Sequence, residues 1–193
     1  MTSKRSLGWS SVKHYDKAKS KTTKQKPRSG IRKLQSPKPR ATKAQRLKLE
    51  IDMIPQTSWG RNLRQVLPPS KWNGIRESLL EKCGYKCMIC SSADRLQCDE
   101  VWEYDDRRRI QTLTSIRVLC SLCHHVKHIG LAGILAERGQ LDFEKVVRHF
   151  MAVNNCDVHT FKEHAVRAVK SWKERSQFNW KIDCGDYKHL IST

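Results

Sequence analysis

A chain of 193 residues with a formal net charge of +19 has room for one modest domain, and its positive charge is too large for all of it to sit on a packed core. The charge is uneven: residues 1–50 hold 16 Lys and Arg against Asp16 and Glu50, a net of +14, and the remainder holds 22 against 17 acids. No apolar run has the length of a membrane span and no short hydrophobic signal core opens the chain, so a soluble, intracellular protein with no membrane role is expected.

Residues 1–48 are Lys, Arg, Ser, Thr and Pro with few apolar side chains, as in KAKSKTTKQKPRSGIRKLQSPKPRATK. Such a segment cannot bury enough surface to offset its conformational entropy and is expected to be a disordered basic arm. Lys21, Lys24, Lys26, Arg28, Arg32, Lys33, Lys38 and Arg40 are its candidate phosphate contacts, giving affinity without sequence preference. The other reading is a solubilising or targeting tail.

Residues 49–84 read as a connector and a helix. Between Pro55 and Pro69, Trp59, Leu63, Val66 and Leu67 offer apolar anchors, and Gly60 suggests a bend. Ser70 is a plausible N-cap for a helix from Lys71 to about Cys83 with Trp72, Ile75, Leu79 and Leu80 on one face, and Gly84 would close it in a left-handed conformation. Arg61 and Arg64 could touch phosphate, although a solvated face is the ordinary reading of such charges.

Residues 85–135 carry two CxxC pairs, Cys87 with Cys90 and Cys120 with Cys123. Four thiolates brought together in this spacing make the closed tetrahedral site of a structural zinc. Two disulfides or four buried thiols are the alternatives, but nothing in the chain points to an oxidising compartment. Cys83, Cys98, Cys156 and Cys184 lack partner spacing and read as ordinary thiols. Between the pairs, Leu96–Trp102 has strand character, Tyr104–Arg108 is a polar turn, and Ile110–Leu119 alternates as a return strand. A helix is expected from His124, and His124 and His128, four apart, then share a face on which they can share a metal.

Residues 136–193 read as a helical extension that gives a small zinc module a core. Asp142 is the expected N-cap of a helix bearing Phe143, Val146, Val147 and Phe150. A second helix from about His159 to Gln177 packs Phe161, Ala165, Ala168, Val169 and Trp172. Trp180, Ile182 and Tyr187 suggest a final extended stretch that docks on the domain, and His149, His159, His164 and His189 show no ligand spacing.

A cysteine-braced hairpin followed by LCSLCHHVKH resembles the HNH endonucleases, the ββα-metal nucleases, in the branch braced by two CxxC pairs. Trp59–Arg64, Gln97–Asp105 and Arg175–Trp180 are similar to further motifs of a bacterial and phage-type subgroup, so the likeness spans about residues 55–183. The resemblance implies a divalent ion, magnesium, manganese or a softer one, that contacts the scissile phosphate and stabilises the leaving oxygen, and a strand residue that activates water. On this sequence it puts Asp99, His124 and His128 in the position of ligands for that ion. Glu100 stands where the family places its general-base histidine, and Thr114 and Ser115 lie where its central asparagine should be. Asp99 and Glu100 are adjacent in a strand and point to opposite faces, so one of them at most joins a tight ligand set unless the strand is bulged.

The expected fold is α+β, a zinc-stapled ββα module with flanking helices behind a basic arm. The expected function is phosphodiester hydrolysis as an endonuclease or nickase, with DNA ahead of RNA, and catalytic residues Glu100, Asp99 and His124. Its setting would be the cytoplasm of a bacterial or phage-infected cell, or the nucleus in a eukaryote. The alternatives are a non-catalytic zinc-module protein that binds DNA or RNA, possible as a subunit of a larger nucleoprotein assembly, and a structural protein of a nucleoprotein particle working through its arm.

Overall fold

The computed structural model describes residues 47–191. The arm residues Lys21, Lys24, Lys26, Arg28, Arg32, Lys33, Lys38 and Arg40 lie outside them. Within them the chain is mixed α and β, with a three-stranded sheet and helices before and after its hairpin in the chain.

After an extended entry at residues 47–55, a 3₁₀ turn at Gln56–Ser58 leads to a short helix α1 (Leu63–Val66), whose Asn62 side chain caps it by accepting from the Gln65 amide. Helix α2 (Pro69–Lys82) starts two residues earlier than the sequence suggests. Proline is tolerated where the amide would have no partner, so Pro69 occupies the first turn and Ser70 lies inside the helix instead of capping it. At the other end Gly84 takes φ +61°, the left-handed stop expected there.

Strands β1 (Gln97–Asp105) and β2 (Ile110–Leu119) form an antiparallel hairpin. β1 runs three residues beyond the expected Trp102, so the turn is confined to residues 106–109 with Arg109 at φ +56°. The register shifts between Val101 and Trp102: Val101 faces Ser115 and Trp102 faces Leu113, which leaves Thr114 as the extra residue of a bulge. The Thr114 hydroxyl donates to the Val101 carbonyl across it (3.1 Å). A third strand, β3 (Lys181–Asp183), adds to β2 in parallel and pairs Ile110 with Lys181 through Thr112 with Asp183, so the C-terminal stretch docks on the sheet edge.

Helix α3 (Ser121–Lys127) begins before His124, because the Cys120 side chain acts as its cap and receives the Cys123 amide at 3.5 Å. The helix breaks at His128 (φ −99°, ψ 55°) and resumes as α4 (Ile129–Glu137). Helices α5 (Phe143–Asn154) and α6 (Val158–Arg175) follow, capped by Asp142 and Asp157, each accepting an amide three residues on.

Two apolar clusters hold these parts. Leu119, Val126, Ile129, Val146, Val147, Phe150, Phe161 and the buried cysteines Cys87, Cys120 and Cys123 make the larger one, which also takes in Leu49 and Ile51 of the entry segment. Leu63, Leu67, Trp72, Trp102, Leu113 and Ile116 make the other, joining α1 and α2 to the hairpin. Trp59 and Val66, expected as anchors of this connector, are exposed instead, Trp59 by 60%; Leu63 and Leu67 do the anchoring.

Candidate metal centres

The four cysteines of the CxxC pairs converge as their spacing suggests. One sulfur from each of Cys87, Cys90, Cys120 and Cys123 lies within 4.8 Å of the others, and Cys90 and Cys120 approach to 3.5 Å. Four sulfurs at about 2.3 Å from a tetrahedral ion would stand about 3.8 Å apart, so the cluster could hold a metal such as zinc with small adjustments. All eight cysteines are free thiols in this structure. Electrostatics points the same way. Burial and the neighbouring thiols push Cys123 strongly up, burial takes Cys120 to about 11, and only Cys87 is lowered, because backbone amides of Cys90, Cys120 and Ile89 outweigh its burial. Four thiolates so close together need a cation among them to ionise. Cys83 stays apart: its sulfur donates to the Leu80 carbonyl at the end of α2.

His149 was not legible as a neighbour of this centre. It reaches across from α5 and places Nε2 at 3.2 Å from the Cys123 sulfur. Its spacing from the cysteines carries no signal in the sequence; only the packing of α5 on α3 brings it there.

The second centre lies at the junction of β1 and α3. Asp99, buried to 5% exposure, points at the face of the helix that carries the two histidines. Its Oδ1 lies 2.6 Å from His128 Nε2 and 3.9 Å from His124 Nε2, and the two rings stand 4.7 Å apart. One ligand atom from each of the three falls within 4.8 Å of the others. A carboxylate oxygen with two imidazole nitrogens is a chemically sound donor set for a divalent ion, and three donors leave positions open for water or substrate. Protonation states fit as well. Burial and the positive potential of His128 take His124 down to about 4, so its ring is neutral near pH 7. Asp99 is held below its ordinary value although burial opposes this, because the His128 hydrogen bond and the Lys127 charge prevail. His125 turns aside, its ring 6.2 Å from that of His124.

Lys127 was missed in the sequence because a helical lysine normally reads as solvated. Here it is 8% exposed, and its Nζ donates to Asp99 Oδ2 at 2.5 Å and to the Glu100 carbonyl at 2.7 Å, with Asp52 at 3.9 Å. The carboxylate of Asp99 is thereby divided, one oxygen on the ammonium and the other on the histidines. Such a partner fixes the ligand's orientation.

Glu100 takes the opposite face of β1, since the bulge comes after it and does not swing it round. Its Oε1 receives the Leu63 amide at 2.7 Å at the start of α1. Burial, opposed by that amide, raises its carboxyl to about 7. Glu100 is not among the three clustered ligands, yet it borders the same cleft as Asp99, His124 and His128. That cleft, about 440 Å³, is edged by Trp59, Arg61 and Arg64, with both arginines exposed. Ser115, at the expected asparagine position, sits across the bulge from Val101.

No described helix is long and apolar enough to cross a membrane. Comparison with models of known families, with curated proteins and with solved structures found no match.

Proposed function

We propose that this protein is a metal-dependent, HNH-like endonuclease or nickase whose CxxC cysteines hold a structural zinc. The observation that carries the reading is the meeting of Asp99, His124 and His128 in the lining of a cleft that Glu100, Arg61 and Arg64 also line. A magnesium or manganese ion bound by those three ligands would supply Lewis-acid stabilisation of the phosphate and of the leaving oxygen. The chain's own groups do the rest. Arg61 and Arg64 offer charge-assisted hydrogen bonds to phosphate oxygens flanking the reacting one. Glu100, with its carboxyl near pH 7, is suited to take the proton from an attacking water, which an ordinary glutamate titrating near ~4.3 would do poorly. Lys127 holds Asp99 in the orientation that faces the histidines. The basic segment before residue 47 adds sequence-independent attraction to the polyanion.

The rival reading is a non-catalytic zinc-module protein that binds nucleic acid. Asp99 favours it in one respect: Lys127 and His128 already satisfy both of its oxygens without an added ion. Supercoiled plasmid separates the two. The zinc-loaded protein is incubated with magnesium or manganese, then with EDTA, beside His124→Ala and Glu100→Ala. Metal-dependent nicking lost in both variants supports the nuclease. Salt-sensitive binding without cleavage in all three proteins would reject it in favour of the binding module.

A further inference from the structure

The cleft has a component that phosphate chemistry does not use. Of the five tryptophans in the described residues, Trp72, Trp102 and Trp180 are buried, and the indole N–H of Trp172 donates to the Ile54 carbonyl at 3.0 Å. Trp59 alone among them is exposed, and it stands at the cleft edge with Arg61 and Arg64. The backbone that presents it is tied down. Ser58 is fully buried, its amide bonds the Pro55 carbonyl at 3.1 Å, and the Arg61 amide bonds the Ser58 carbonyl at 3.0 Å. The turn is also fastened to the end of α6 and beyond: the Gln56 amide donates to Ser176 Oγ at 3.0 Å and the Thr57 hydroxyl donates to the Phe178 carbonyl at 2.5 Å. Gly60 completes it at φ +83°, a conformation that β-carbon-bearing residues rarely take. A large aromatic side chain left in water on an anchored turn, beside two exposed arginines that line the same cleft, matches the pairing that single-stranded nucleic acid recognises: a flat face for the base and positive charge for the backbone.

We propose that Trp59 is a stacking platform for an unpaired base, so that the cleft takes a nucleic-acid strand with at least one base out of its stack in preference to continuous duplex. This rests on the reading of the cleft as a nucleic-acid site. An intact duplex hides the faces of its bases within the stack and offers the indole nothing to cover. A bulge, a junction or a single strand exposes a face, and stacking engages any base because every base has one. The nucleotide on Trp59 is therefore recognised without sequence preference, and strand structure sets the selectivity.

The test uses the full chain with its zinc, in buffer without magnesium or manganese. Fluorescence anisotropy is measured on a duplex, on the same duplex with one unpaired 2-aminopurine nucleotide, and on the corresponding single strand, for wild type, Trp59→Ala and Trp59→Phe. The expected result is roughly tenfold tighter binding of the two substrates with an unpaired base, accompanied by quenching of the 2-aminopurine. Trp59→Ala should lose both the preference and the quenching while keeping its duplex affinity, and Trp59→Phe should keep most of both. An undiminished preference in Trp59→Ala would overturn the proposal, as would equal wild-type affinity for all three substrates. Cleavage is scored separately after magnesium or manganese is added. A wild type that binds through Trp59 and cuts nothing rejects the nuclease reading alone, and cutting without any preference dependent on Trp59 rejects the stacking site alone. No binding to any of the three substrates would reject both.

Discussion

Asp99 is the residue on which the second centre turns, because one buried carboxylate serves a lysine and two histidines together. Breaking such a buried pair from one side leaves a charge without compensation, at a cost of about 3–5 kcal/mol. Lys127→Met should therefore destabilise the fold by about that amount in urea unfolding, while Asp99→Asn combined with Lys127→Met should recover much of the loss. Losses that simply add would mean that the two residues do not depend on each other. Glu100 makes a separate prediction through its proton. Its carboxyl titrates near 7 in the folded chain, above the ordinary value, so the stability tied to its proton is fully present below about pH 4.3 and is lost as pH rises through 7. Glu100→Gln keeps an acceptor for the Leu63 amide and never ionises. Without magnesium or manganese it should gain about 2–3 kcal/mol over wild type at pH 8.5 and little at pH 4.5. An advantage that is the same at both pH values would show that Glu100 ionises normally.

At the scale of elements, the cysteine cluster ties the hairpin root to α3 and the larger apolar cluster. Cys87, Cys120 and Cys123 are themselves buried members of that cluster. Binding energy at such a site is folding energy. Cys90→Ser should lower the thermal midpoint and remove most of its response to chelators, whereas wild type should lose stability steeply when a chelator is added. A wild-type midpoint that chelators leave unchanged would argue against a structural metal. On the other side of the hairpin, Gly185 follows β3 at φ +52°, and a β-carbon there would lie 2.4 Å from the Leu113 carbonyl oxygen. That oxygen belongs to the backbone of the central strand and cannot swing away. Gly185→Ala should cost about 2 kcal/mol or more in urea unfolding, combining strain with the clash. A neutral result would mean that the C-terminal turn is not held against β2.

For the molecule as a whole, charge and chemistry occupy different parts of the sequence. The candidate centres fall between residues 87 and 128, while residues 1–50 supply a net of +14. If the arm binds phosphate, replacing Lys21, Lys24, Lys26 and Arg28 with Gln should lower the slope of log affinity against log salt by about three to four on duplex DNA. The thermal midpoint should stay unchanged. An unaltered slope would transfer the electrostatic attraction to the described domain, where Arg61 and Arg64 edge the cleft.

Patterns of near neighbours were legible in the sequence because backbone geometry converts spacing directly into position. Two CxxC pairs must each turn their sulfurs together, His124 and His128 must share a helical face, and residues 110–119 alternate as a strand does. The caps Asp142 and Gly84 follow from equally local rules. What the fold alone decided depends on residues distant along the chain. Asp99 meets two histidines because α3 packs on β1, and the same packing buries Lys127 against it. His149 reaches Cys123 because α5 lies against α3, and Glu100 is raised towards neutrality by its burial beside α1. Trp59, which reads as an apolar anchor of the connector, is left in water, while Leu63 and Leu67 join the cluster under the hairpin. Spacing constrains which side chains share a face; burial and the choice of partner across the core come from how the elements pack.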